Sequence, residues 1–193
     1  MGAEQVEYPT AYHFEWYETR PGYKVFVDRI VSWCQDKKGT ITNVGCGDGL
    51  LESLILKQNP QVWLLGIDTN ADAIALCQKL VQDERVTFIQ ADGFVGGWGS
   101  HYVLCIEVLE HVENRTLPDM VYQLARRCLK GMYLTTPNGD YPDGDSAKRN
   151  DCHFCEYSLA EVTRELEKYF DRVDVTEIDG DGHYVCEGRN SNG

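Results

Sequence analysis

Thr40-Ile41-Thr42-Asn43-Val44-Gly45-Cys46-Gly47-Asp48-Gly49-Leu50-Leu51, followed by Gly66-Ile67-Asp68, decides the fold of this chain. A run of β-branched and apolar residues enters a glycine turn, a leucine-rich helix start follows, and a second apolar strand ends in a carboxylate. Glycines at 45, 47 and 49 permit a tight strand-to-helix turn and leave no Cβ between the main chain and a flat ligand. Asp68 follows Gly49 by 19 residues, the reach of an acid that accepts ribose hydroxyls in a nucleotide-binding βαβ unit. The pattern predicts an adenosine-containing ligand.

The turn selects among such ligands. A dinucleotide fingerprint is G-x-G-x-x-G, with the pyrophosphate on the helix N-terminus. Here the third glycine comes one residue early, Leu50 stands where that motif wants glycine, and Asp48 would repel a phosphate. A phosphate-free ligand with a cationic centre fits better, and S-adenosylmethionine is one. Val44-Gly45-Cys46-Gly47-Asp48-Gly49 resembles motif I of the seven-stranded, Rossmann-like class I S-adenosylmethionine-dependent methyltransferases.

Composition narrows the partners. A chain of 193 residues with 42% hydrophobic content suits one domain whose core needs neither disulfides nor metal. The formal net charge of −13 argues against long nucleic acids, because such binding rests on Lys and Arg neutralising phosphates. No stretch approaches the roughly 18 apolar residues of a membrane span. Met1-Gly2-Ala3-Glu4-Gln5-Val6-Glu7 lacks the basic and apolar regions of a signal peptide, so a cytoplasmic protein is expected. Of eight cysteines, Cys46, Cys77, Cys105 and Cys128 fall at positions expected to be core, as reduced thiols would. Cys152-His153-Phe154-Cys155 holds one C-x-x-C without a second pair, and no metal is expected there.

Along the chain, Val25, Phe26, Ile30 and Val31 predict a helix over residues 24–36, behind an aromatic leader containing Tyr8, Tyr12, His13, Phe14, Trp16, Tyr17 and Tyr23. Residues 1–39 are thus expected to form a strap and helix packed over the core, with Tyr12, His13 or Trp16 as candidate ligand contacts. Strands are expected at 41–45, Val62–Ile67, Val86–Gln90, Tyr102–Ile106 and Met132–Thr135. Helices are expected from Gly49, after the cap Asn70, and along a stripe from Leu117 to Leu129. Pro137–Asp151 is too polar for core and suits a loop over the substrate. Ser158-Leu159-Ala160-Glu161 forms a capping box, and Val173–Ile178 with His183–Cys186 an antiparallel hairpin turning at Asp179-Gly180-Asp181-Gly182. The prediction is one α/β domain with a doubly wound, mostly parallel sheet and helices on both faces. The resemblance covers residues 40–187, implies seven strands closed by the hairpin, and leaves 188–193 as a tail.

In such sheets ligands sit outside the carboxyl ends of the strands. By resemblance, the backbone of Gly45, Cys46 and Gly47 approaches the methionine portion of the cofactor, and Asp68 takes the ribose hydroxyls beside Thr69 and Asn70. Asp92 with Gly93 reads the adenine, and Glu107 contacts the cofactor near the transferring methyl. One departure stands out: Asn43 occupies a position where the family usually has an acid that helps hold the cofactor ammonium. An amide supplies no charge; either weaker cofactor affinity or compensation by Asp48 or Glu107 is expected.

Methyl transfer from a sulfonium needs alignment, plus a base where the acceptor must lose a proton. Glu107-Val108-Leu109-Glu110-His111-Val112 and the later His153-Phe154-Cys155-Glu156-Tyr157-Ser158 supply the candidates Glu110, His111 and His153. The first reading makes either histidine a general base or orienting group for a small polar acceptor, methylated on oxygen rather than nitrogen. The second has Glu107, Glu110, His111 and His153 bind a divalent metal, resembling small-RNA terminal 2′-O-methyltransferases. A binding module without turnover and a nicotinamide oxidoreductase complete the alternatives.

Overall fold

The computed structural model describes residues 11–140, 153–178 and 180–189. Two compact units are distinguished, one spanning Val6–Gly96 and one built on Gly97–Gly193. Seven strands, β1 (Gly39–Val44), β2 (Val62–Asp68), β3 (Val86–Gln90), β4 (Ser100–Ile106), β5 (Cys128–Pro137), β6 (Phe170–Ile178) and β7 (Asp181–Arg189), form one sheet in the order β3-β2-β1-β4-β5-β7-β6.

The first unit opens with helices α1 (Tyr12–Thr19) and α2 (Pro21–Cys34) where one helix over 24–36 was expected. Proline explains the break. Arg20 precedes Pro21 and is extended (φ −115°, ψ 102°), because the residue before proline is excluded from helical backbone. Pro21 then starts α2, where its missing N–H costs nothing. Val27, Ile30, Val31 and Cys34 form the buried stripe of α2. Strands β1 (Gly39–Val44), β2 (Val62–Asp68) and β3 (Val86–Gln90) pair in parallel, joined by helices α3 (Leu50–Gln58) and α4 (Ala71–Leu80). Asn70 caps α4 as expected, its side chain accepting from Asp72 and Ala73 N–H at 2.8 and 3.2 Å.

Gly66 lies where β2 packs against a ring. A Cβ there would stand 2.5 Å from Phe88 Cδ1 and 3.1 Å from Cys46 Sγ. Phe88 is itself buried and cannot swing away. Gly66→Ala is therefore expected to destabilise the protein by about 1–3 kcal/mol, read as a lower urea midpoint at unchanged slope.

The second unit carries β4 (Ser100–Ile106), a single 3-10 turn (Leu109–His111), α5 (Leu117–Ala125), β5 (Cys128–Pro137), α6 (Leu159–Leu166), β6 (Phe170–Ile178) and β7 (Asp181–Arg189). β4 and β5 are parallel, while β7 runs antiparallel to both β5 and β6. Helix α5 stops at Ala125, so Cys128 and Leu129 are strand, not helix. Cys128 is recruited to the sheet opposite Ser100, a long-range pairing that outweighs the helical stripe. The hairpin is tighter than expected, with Ile178 opposite Asp181 and Gly180 at φ 95°. Strand β7 reaches Arg189, two residues into the expected tail. The capping box at Ser158 and Glu161 forms with both reciprocal bonds.

Among the described residues the cysteines are free, all buried except Cys155. No described helix is long and apolar enough to cross a membrane. Tyr8, Cys152 and positions 141–151 of the expected loop lie outside the described residues.

Candidate functional site

In the first unit, the exit of β1 is a cradle of backbone. Gly45, Gly47 and Gly49 all have positive φ (77°, 56° and 84°), which only glycine adopts without strain. Gly45 and Cys46 N–H both donate to Ile67 O, at 2.8 and 3.0 Å, which holds the turn against the end of β2. Asp68 then reaches across: Oδ2 accepts from Gly47 N–H at 3.0 Å and Oδ1 from Asn70 N–H at 2.9 Å. One carboxylate thus sets both the glycine turn and the entry to α4. Each oxygen can accept a second hydrogen bond, which leaves the carboxylate capacity for further donors. Burial raises the Asp68 pKa, opposed by bonds from the backbone of Asn70, Gly47 and Thr69.

Thr69 is exposed just past this carboxylate. Asp92, beyond β3, accepts from Phe94 N–H at 2.8 Å and so shapes its own turn. Gly93 is a packing requirement, because a Cβ there would lie 2.4 Å from Val44 Cγ1.

Two contacts at this cradle were not legible in the sequence. Asp48 is fully buried; Oδ1 accepts from Leu50 N–H at 3.3 Å at the start of α3, and the carboxylate also holds α1. His13 N–H donates to Asp48 Oδ2 at 2.9 Å, and His13 Nδ1 lies 3.1 Å from Oδ1. The aromatic leader is therefore anchored to the glycine turn by a histidine, with the Tyr23 ring stacked on it, Trp16 edge-on and Tyr12 tilted against it.

The second contact joins Asn43 in β1 to Glu52 in the first turn of α3. Asn43 Nδ2 donates to Glu52 Oε1 at 2.9 Å, and both residues are buried. Burial pushes the Glu52 carboxyl up to about 7 against the hydrogen bond from Asn43, with Asp48 and Asp68 adding repulsion. The folded protein thus binds this proton more tightly than the unfolded chain. Its stabilisation is complete below the ordinary value of 4.5 and is lost as pH rises through about 7. Melting curves should fall from pH 5 to 8 in the ligand-free protein, and Glu52→Gln should remove about 3 kcal/mol of that slope.

The second unit holds the acceptor candidates. Glu107 follows β4 with φ 53°, a left-handed backbone that is rare outside glycine and costs of order 1–3 kcal/mol. Its N–H is fixed to Thr135 O and Oγ1, each at 3.1 Å. The 3-10 turn that follows buries Glu110, whose Oε2 accepts from Thr136 Oγ1 at 3.0 Å. Glu110 Oε1 is sealed from solvent without a hydrogen-bond partner among the described residues.

The carbonyl of Glu110 accepts from Phe154 and Cys155 N–H at 2.8 and 3.4 Å, which pins the distant 153–155 segment to the turn. That pairing brings His153 to His111, ring centroids 4.8 Å apart. One donor atom each from Glu110, His111 and His153 lies within 4.8 Å of the others. His111 is exposed and His153 partly buried, its Nδ1 3.4 Å from Glu156 Oε1.

Burial drives the Glu107 carboxyl well above its usual value, reinforced by the charges of Glu110 and Asp181. Burial also pushes Glu110 up to about 7, partly relieved by hydrogen bonds from Thr136 and Glu107. Glu107 is accordingly the member of the pair that keeps the proton. Glu107, expected both near the cofactor and among the metal-binding candidates, lies beside Glu110. Of those four residues the structure brings Glu110, His111 and His153 within ligand distance of one another, a set that does not include Glu107.

Residues 42–132 match the family model described as a methyltransferase domain. Ribosomal RNA small subunit methyltransferase H of a Nitratiruptor species is 32% identical over 72 residues, 36% of this chain and 24% of that protein. The match thus spans about a quarter of the curated relative's length. Among solved structures, magnesium protoporphyrin IX methyltransferase from Synechocystis PCC 6803 with bound S-adenosylhomocysteine superimposes with a TM-score of 0.71 at 19% identity, covering 98% of this chain and 90% of that one. Small RNA methyltransferase HEN1 gives a TM-score of 0.76 at 16% identity, over 100% of this chain and 27% of that one. The glycine cradle, Asp68 and the sheet order belong to a fold that the chain shares with these solved methyltransferases. The match to the methyltransferase-domain model covers just under half of the chain, and the solved structures share its fold.

Proposed function

We propose that the chain transfers a methyl group from S-adenosylmethionine to a hydroxyl oxygen of a small polar acceptor, with residues 40–187 working as one catalytic domain. The observation that carries the reading is the meeting of Glu110, His111 and His153 beside a strained Glu107. A hydroxyl must lose its proton as the methyl arrives, whereas a neutral amine can attack first and shed its proton later. A carboxylate and two imidazoles are the equipment an oxygen acceptor needs. In this scheme Asp68 holds the ribose, the backbone of Gly45, Cys46 and Gly47 faces the amino-acid portion, and Thr69, Asp92 and Gly93 border the adenine. Glu107 and Glu110 set the charge around the histidine that takes the proton.

A second reading rests on the Glu110 oxygen that lacks a partner. Together with two imidazoles it forms a nitrogen-rich donor set suited to a divalent transition metal. Glu110, His111 and His153 would hold the ion, which polarises an acceptor hydroxyl when bound. That arrangement suits a terminal ribose of RNA, although a net charge of −13 weighs against a polyanionic acceptor.

Incubation with labelled S-adenosylmethionine, a panel of sugars and phenols, and a short RNA decides between them. The main reading predicts labelled small-molecule product whose formation survives EDTA. Transfer only to RNA, abolished by EDTA and restored by manganese, establishes the second reading. Tight cofactor binding without transfer to any acceptor would mark a binding module.

A further inference from the structure

We propose that Glu52 receives the ammonium group of the cofactor's amino-acid portion, with Asn43 as the residue that positions it. The inference rests on reading the glycine turn as an S-adenosylmethionine site and names the residue that meets one of its charges.

The Asn43–Glu52 bond uses one oxygen of the carboxylate and one N–H of the amide. Glu52 Oε2 and Asn43 Oδ1 remain, both sealed from solvent and both without a partner among the described residues. Glu52 is 1% exposed and Asn43 4%, so water does not compensate them from the surface. With Glu52 ionised both orphan atoms are acceptors, and the partner missing from that form is a donor.

The surroundings specify its charge. Asp48 and Asp68, which shape the glycine turn, both act electrostatically on Glu52. Among the described residues no lysine or arginine pairs with Asp48, Glu52 or Asp68; His13 on Asp48 is the neighbouring base. Three carboxyl groups around one turn, with no lysine or arginine paired to them among the described residues, create a site for a mobile cation. An ammonium brings three N–H donors and a positive charge, which matches Glu52 Oε2 and Asn43 Oδ1 with one bond to spare. Asn43 supplies no charge itself, and Glu52 carries the one it lacks.

Proton linkage follows. The groups facing Glu52 are Asn43 from β1, Asp48 and Asp68 at the turn, and the thiols of Cys34 and Cys46; none of them supplies positive charge. Near neutral pH part of the ligand-free protein carries Glu52 as the neutral acid. Arrival of the ammonium leaves a carboxylate–ammonium pair and sends the carboxyl proton to solvent.

The test is calorimetry with two ligands, S-adenosylhomocysteine and 5′-methylthioadenosine, the second of which lacks the ammonium and carboxylate of the amino-acid portion. Glu52→Gln should weaken S-adenosylhomocysteine about 10-fold or more and 5′-methylthioadenosine less than 2-fold. The second ligand also reports that the variant is folded. In wild-type protein at pH 7, buffers of different ionisation enthalpy should reveal proton release with S-adenosylhomocysteine and none with 5′-methylthioadenosine. Equal weakening of both ligands, or of neither, overturns the assignment. Should the variant not fold, equal proton release with the two ligands overturns it. Wild-type protein that binds neither ligand refutes the reading of the turn, and the assignment with it.

Discussion

Replacing His111 or His153 by alanine is expected to lower kcat by about 10²–10³-fold while leaving S-adenosylhomocysteine affinity within about 2-fold. The reason is the division of labour along the chain. Both histidines meet at the carbonyl-pinned turn after β4, whereas the groups expected to grip the cofactor cluster at the exits of β1, β2 and β3. Whichever imidazole accepts the proton will show the larger loss. The other should act chiefly through orientation and raise KM. Activity should also fall as pH drops through about 7, where Glu110 takes up its proton, and Glu110→Gln should blunt that limb. A cofactor affinity that collapses with either histidine, or a kcat that ignores both, would remove them from the reaction.

Asp68→Ala should weaken S-adenosylmethionine by about 1.5–3 kcal/mol, roughly 10- to 100-fold, measured by calorimetry. Two losses combine. The ribose loses its charged acceptor, and Gly47 and Asn70 lose the carboxylate that fixes their N–H groups. Asp68→Asn separates these effects, since one amide oxygen can serve Gly47 or Asn70 but not both. Its affinity should fall between wild type and alanine, with a smaller change in melting temperature. Unchanged affinity in the alanine variant would take Asp68 out of the cofactor site.

The elements written in local sequence were legible. The glycine turn, the carboxylate ending β2, the Asn70 cap and the Ser158 capping box each depend on residues close in the chain, and each is found. The split of the N-terminal helix is also local, dictated by Pro21, although the apolar spacing at Val25 and Ile30 masks it. What escaped depends on contacts across the fold. Cys128 and Leu129 continue a helical stripe, yet pairing with β4 makes them strand. The Asn43–Glu52 bond needs the side chain of β1 to meet the first turn of α3, which periodicity does not encode. Likewise, His13 finds Asp48 over 35 positions, and Tyr133 finds His183 over 50. The nearness of His111 and His153 was suspected from chemistry, but the two backbone bonds to the Glu110 carbonyl that produce it carry no side-chain signature.

The turn at Gly45-Cys46-Gly47, closed by Asp68, is expected to take a phosphate-free adenosine ligand and not a dinucleotide. Competitive calorimetric titration of the wild-type protein with S-adenosylhomocysteine and NADH tests it most directly. The expected result is one-to-one binding of S-adenosylhomocysteine that a large excess of NADH does not displace. Binding of NADH by a protein indifferent to S-adenosylhomocysteine would contradict it.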